Sequence, residues 1–156
     1  MRTKLGLVAI VILTVTLLGG TLARASSGGP QIIELLAVHS QFADIDLGAA
    51  GPSQGDQVIF ADELSSRGER VGTNGGVCTA VAGSPTTTTL QCVVTLSLPN
   101  GQVAAQGLVS FRHDEEGPTS VIAVTGGTGA FRTAHGELRL QTVDNLRTRI
   151  TLTVVR

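Results

Sequence analysis

The chain of 156 residues carries a formal charge of −1 and holds 20 glycines and four phenylalanines, but neither tyrosine nor tryptophan. Its length suits one domain, and its scattered arginines form no basic stripe of the kind that grips a phosphate backbone, which excludes nucleic acid as a partner. Without tyrosine or tryptophan, a sugar-stacking groove is also disfavoured.

Residues 1–25 read as a signal peptide. Arg2 and Lys4 give a positive start, residues 5–18 are apolar apart from Gly6, Thr14 and Thr16, and Ala23-Arg24-Ala25 supplies the small residues a signal peptidase reads. The apolar run is about 14 residues, where a membrane span needs roughly 20. The alternative, an uncleaved anchor, is interrupted by Gly19, Gly20 and Arg24. The mature domain, residues 26–156, is thus expected to be secreted to the extracellular space or cell envelope, with no membrane contact after cleavage. It keeps eight arginines against twelve acidic residues, a formal −4, and no lysine.

Beyond the leader the apolar residues alternate with period two and no helical period is sustained. Strands are predicted over residues 31–42, 57–64, 68–82, 87–98, 102–112, 119–125, 131–142 and 147–155. Eight strands without a helix have exposed edges unless they close, so the fold class is an all-β, eight-stranded antiparallel barrel. Such a lumen either fills with side chains or holds one small ligand.

The first strand is strongly apolar, and Glu34, His39 and Gln41 interrupt it. His39 and Gln41 share one parity and Glu34 has the other. A histidine in a cavity can exchange a proton near neutral pH, whereas one at a barrel rim is simply solvated. On the second strand Asp62 has the parity of Phe60 and Leu64, hence the inward face. It is read either as an acid in the lumen or as a lock to Arg112 or Arg139. His39, Gln41 and Asp62 are therefore the catalytic candidates.

Cys78 and Cys92 flank a turn at residues 83–86 and stand seven residues either side of Pro85, which sets them across from each other. An even pair in an exported chain reads as a disulfide, closing a loop worth about 3 kcal/mol in the chain-entropy model. With no third cysteine and no histidine nearby, no metal site is expected.

Asn100-Gly101 is a hairpin signal, since both residues accept the positive φ of a type I′ turn. Centring the turn there pairs Leu98 with Val103, Leu96 with Ala105, Val94 with Gly107 and Cys92 with Val109, all on one apolar face. Val94, Leu96, Ala105, Gly107 and Phe111 are thereby the candidate cavity lining. Residues 112–116 form a charged tip that either gates the mouth or is merely solvated.

Gly126, Gly127 and Gly129 then mark a tight connection between strands. They do not read as a phosphate loop, because the next segment alternates like a strand and no lysine follows. No cofactor is expected.

The run Val124-Thr125-Gly126-Gly127-Thr128-Gly129-Ala130-Phe131, with Ala134 and Gly136 beyond it, resembles the signature of the allene oxide cyclase and dirigent-type barrels. Gly55-Asp56-Gln57 with Phe60 and Asp62-Glu63-Leu64 is similar to that superfamily's second strand. Val71-Gly72-Thr73 with Gly76 and Cys78 resembles its third, and Leu98-Pro99, Gly101-Gln102 and Gly107 its fourth and fifth.

The resemblance implies an eight-stranded barrel, commonly a homotrimer, whose apolar cavity holds a small hydrophobic molecule and steers its cyclisation or stereoselective coupling by confinement. It also sets an expectation for the first strand. Plant cyclases carry a glutamate and an asparagine there, and dirigent proteins a His-Asp pair. Here Val38-His39-Ser40-Gln41 offers the histidine without an acid beside it. The remaining alternatives are a lipocalin-like carrier without chemistry and a structural or interaction module with a filled barrel.

Overall fold

The computed structural model describes residues 29–155, so the expected leader lies outside the described residues. The period-two alternation resolves into β1 (Gln31–Ile45), β2 (Gln57–Ser66), β3 (Glu69–Gly83), β4 (Thr87–Leu98), β5 (Gly101–Arg112), β6 (Thr119–Gly127), β7 (His135–Asp144) and β8 (Arg147–Val155). Each strand pairs antiparallel with the next, and β8 returns to β1, closing the barrel. Closure removes the edges that eight exposed strands would otherwise present.

The inward residues divide the lumen into two halves. Toward the end bearing the β2–β3, β4–β5 and β6–β7 connections, Leu64, Leu96, Val103, Leu138 and Leu152 are fully or almost fully buried, and Phe131 plugs the end. Each such side chain stabilises the fold by about 1.5–3 kcal/mol. Toward the opposite end smaller and polar side chains leave a chamber. The β5–β6 ladder is the shortest, running only from Val103↔Gly127 to Gln106↔Ala123, so these two strands part toward the chamber end.

Three local expectations are corrected. The β4–β5 turn is centred on Pro99 and Asn100, pairing Leu98 with Gly101, Leu96 with Val103, Val94 with Ala105 and Cys92 with Gly107. Asn100 does not adopt positive φ. Proline favours the first central position of an ordinary turn and glycine its last, which wins over the type I′ pattern. The slip is two residues, so every side chain keeps its face.

The seventh strand begins at His135, four residues after Phe131, because residues 129–131 form a 3₁₀ turn. Gly107 is also not open to the lumen: a Cβ there would stand 2.9 Å from Ile122 Cγ2.

The glycine run at the end of β6 and just beyond it is required by close backbone approach to the β4–β5 turn. Thr128 N–H donates to Gln102 O at 2.9 Å, Ala130 N–H to Asn100 O at 2.8 Å, and Gln102 N–H to Thr128 Oγ1 at 3.0 Å. A Cβ on Gly127 would overlap the Gln102 carbonyl and stand 2.8 Å from Phe131 Cβ, while Gly129 has φ +58° and faces the Asn100 carbonyl.

At the chamber end, the β1–β2 loop is organised by Asp56. Its carboxylate accepts from Ser53 N–H at 2.7 Å, Leu47 N–H at 2.9 Å and Ser53 Oγ at 3.1 Å. These bonds, the Ser53 amide first and the Leu47 amide next, hold its pKa below the ordinary carboxyl value.

Gly127→Ala is expected to destabilise the protein by about 2 kcal/mol through overpacking, lowering Tm by roughly 5–10 °C, whereas Gly29→Ala should leave Tm unmoved. Equal melting of both variants would contradict the close-approach reading. Because Asp56 has the lower pKa when folded, its contribution is present above the ordinary carboxyl value of about 3.9 and is lost as pH falls through the folded value. Protection of the Leu47 and Ser53 amides from hydrogen exchange should therefore be high near neutral pH, fall in acid, and be lost at all pH in Asp56→Ala; protection indifferent to both would count against it.

Candidate functional site

The open half of the lumen is a chamber of about 330 Å³, at the small end of ligand pockets. Its wall is largely apolar, with Phe60, Leu90, Val94, Val109, Leu140 and Ile150 contributing, and the Cys78–Cys92 disulfide forms part of it. That bridge joins directly paired residues of β3 and β4.

Polar groups converge on one row of the sheet. His39 of β1 pairs with Asp62 of β2, which pairs with Asn74 of β3, and all three line the chamber. His39 Nδ1 and Asp62 Oδ1 are 2.5 Å apart. Asp62 is only 3% exposed. With Asp62 as a carboxylate, which can only accept, Nδ1 carries the hydrogen of this bond, and a neutral ring then keeps its lone pair on Nε2. A pair in that state can do acid–base chemistry at the ring's second nitrogen, with the carboxylate orienting the imidazole. The Phe42 ring lies against His39, centroids 5.7 Å apart, and further restricts the imidazole.

A β-bulge makes this arrangement. The β1–β2 register shifts between His39 and Gln41, leaving Ser40 as the extra residue, whose Oγ donates to Ala61 O at 2.9 Å. His39 N–H donates to Leu146 O at 2.9 Å, tying the bulge to the β7–β8 turn. Bulges re-aim side chains. Here the parity after Ser40 is reversed, so Phe42 lines the chamber and Gln41 is exposed.

The acid that the first strand lacks is supplied by the second. Asp62 does not lock to Arg112 or Arg139: Arg112 is held by Asp114, with Nε–Oδ1 2.9 Å and Nη2–Oδ2 2.8 Å. Of the expected lining residues, Val94 and Phe111 border the chamber. Leu96 and Ala105 lie inside the barrel but in its packed half, and Gly107 is covered by Ile122. Asn74 is not among the sequence candidates, although it shares its inward parity with the small, apolar Gly76, Cys78 and Ala80, which was the available signal. It is 6% exposed, and its Oδ1 has no hydrogen-bond partner.

Above the chamber lies a vestibule of about 320 Å³ that shares Val58, Leu90 and Phe111 with it. Asp44, Asp46 and Asp56 border the vestibule, and so does His113. The His113 ring is 2.9 Å from Thr88 Oγ1 through Nε2 and 3.0 Å from Pro85 O through Nδ1, pinning the charged tip to the β3–β4 turn. Among the described residues no group of three or more His, Cys, Asp or Glu side chains converges as a metal site would.

Comparison with solved structures finds the same barrel repeatedly. A pyocyanin demethylase is 30% identical, with 80% of this chain and 100% of that one covered at a TM-score of 0.73. An exo-specific intermolecular Diels–Alderase is 16% identical over 81% of this chain and 98% of its own, TM-score 0.67. A pterocarpan synthase dirigent protein is 17% identical over 83% and 97%, TM-score 0.64. At these lower identities the likeness is one of fold. A sequence search of curated proteins gave no match. The profile of the allene oxide cyclase barrel-like domain matches residues 36–155, which spans the barrel from within β1 to the end of β8. The chain belongs to the allene oxide cyclase barrel-like family.

Proposed function

We propose that this barrel takes up one small, largely apolar molecule and promotes its rearrangement or ring closure by confinement, with His39 moving a proton and Asp62 orienting it. The observation that carries this reading is the His39–Asp62 contact at the wall of an apolar chamber, 2.5 Å between Nδ1 and Oδ1. Confinement in one conformer lowers a barrier without a strong nucleophile, and a positioned acid or base adds typically 10²–10⁴-fold. The Diels–Alderase and dirigent neighbours fit a barrel of this kind, and the pyocyanin demethylase offers a ring compound as a first probe.

Export and self-association complete the proposal. The leader reading and the Cys78–Cys92 bridge both suit an oxidising compartment. A homotrimer is the expected assembly, and the outward row Ile59–Val77–Val93, with Leu108 diagonal to it, supplies apolar surface for it. Leu108 is 62% and Val93 48% exposed.

The test is untargeted mass spectrometry of pyocyanin, and of the apolar fraction of the native secretion, after incubation with protein. Wild type is expected to convert at least one compound. His39→Gln should slow that conversion about 10²-fold or more. Val109→Phe, which fills the chamber, should abolish it while leaving Tm within a few degrees. Conversion that survives both substitutions would sink the proposal, and recovery of a bound but unaltered ligand would establish a carrier.

A further inference from the structure

Asn74 sits where the chamber meets the packed half of the barrel. Its neighbour toward β2 is Asp62 of the polar row, and its neighbour toward β4 is Leu96, which is fully buried in the core. Gly76 and Cys78 follow on the same face of β3, toward the mouth, so Asn74 stands at the chamber floor. An apolar side chain at this level would have completed the core, and burying an amide costs stability unless its polar atoms find partners. Neither polar atom of this side chain has a partner among the described residues. Oδ1 is enclosed by protein, which leaves Nδ2 as the atom that meets the chamber. An amide nitrogen only donates. With Asp62 ionised, the row thus offers a donor on Asn74 and, across Asp62, an acceptor at Nε2 of a neutral His39 ring. Their backbones are two strand spacings apart, about 10 Å, a gap that two inward side chains and one ring compound span. The hydroxyls of Ser120, Thr142 and Thr148 also line the chamber, on β6, β7 and β8. A hydroxyl donates or accepts as its hydrogen rotates, whereas the amide offers only N–H to the ligand.

We infer that the chamber takes a compact carbonyl compound, whose C=O oxygen accepts from Asn74 Nδ2 while its proton-bearing edge faces His39. Asn74 is then the residue that orients the substrate, and an oxygen led to the floor fixes which edge the imidazole meets. This rests on the ligand-binding reading above and adds a substrate class to it. The two groups suit one reaction. A carbonyl oxygen gains negative charge when the neighbouring carbon gives up a proton, so a donor at the oxygen and a base at the carbon act together.

The test uses protein made from the full-length chain and two probes of one shape, 1-tetralone, which carries a ring carbonyl, and tetralin, which lacks it. Each is titrated calorimetrically into wild type and Asn74→Leu, and the side-chain amide of Asn74 is followed in the ¹H–¹⁵N spectrum of wild type. Asn74→Leu is expected to weaken tetralone about tenfold, the size of one buried hydrogen bond, and to leave tetralin affinity unchanged. In wild type an Asn74 amide proton should move downfield with tetralone and stay in place with tetralin. Tetralone that binds without moving that proton would overturn the inference, with the oxygen held by a hydroxyl or by nothing, and would leave the chamber reading intact. An equal loss of both probes in Asn74→Leu would overturn it in the same way. The spectral comparison decides the matter even if Asn74→Leu fails to fold. Binding of neither probe to wild type would overturn both the inference and the chamber reading.

Discussion

Everything in this molecule depends on closing eight alternating strands into one barrel. Closure forces half of all strand side chains into a confined space, and their volumes then decide what that space becomes. At one end leucines, valines and Phe131 fill it. At the other, a histidine, an aspartate, an asparagine and a disulfide occupy positions where larger apolar groups would have completed the core. The packed half supplies the stability that lets the other half stay open, and the strands that carry the polar row run continuously through both.

The same constraint brings the polar pair together. Antiparallel neighbours place residues of distant sequence side by side, and His39 and Asp62 meet across a strand boundary although 23 positions separate them. Each is positioned by its own strand, and the bulge at Ser40 holds the imidazole at its station. A rigid sheet is a better platform for such a pair than a loop, since proton transfer demands a defined distance and tautomer.

Much of this was legible in the sequence. Alternation located all eight strands, Thr87–Leu98 and Arg147–Val155 to the residue, and the symmetric spacing around Pro85 put Cys78 opposite Cys92. The parity of Phe60 and Leu64 put Asp62 inside. What escaped was whatever depends on a single inserted residue or on three-dimensional fit. Nothing in Val38-His39-Ser40-Gln41 announces that Ser40 is extra, so parity alone put Gln41 beside His39. The resemblance pointed to an acid on the first strand, whereas the partner of His39 is Asp62, across on the second. The boundary between packed and open halves is set by the sizes of side chains from all eight strands at one level, which is why Leu96 and Ala105 read as cavity wall and turned out to be core. Gly107 read as empty space because the Ile122 side chain that covers it comes from another strand.

The most direct test is the long-range ¹H–¹⁵N spectrum of the His39 ring, recorded at a pH where the imidazole is neutral, with and without 1-naphthol. The expected result is a hydrogen on Nδ1, held by Asp62, and an unprotonated Nε2 whose resonance shifts when the ligand enters. A ring protonated on Nε2 instead, or one whose nitrogens do not respond to a ligand shown to be bound, would contradict the placement of a working histidine in the chamber.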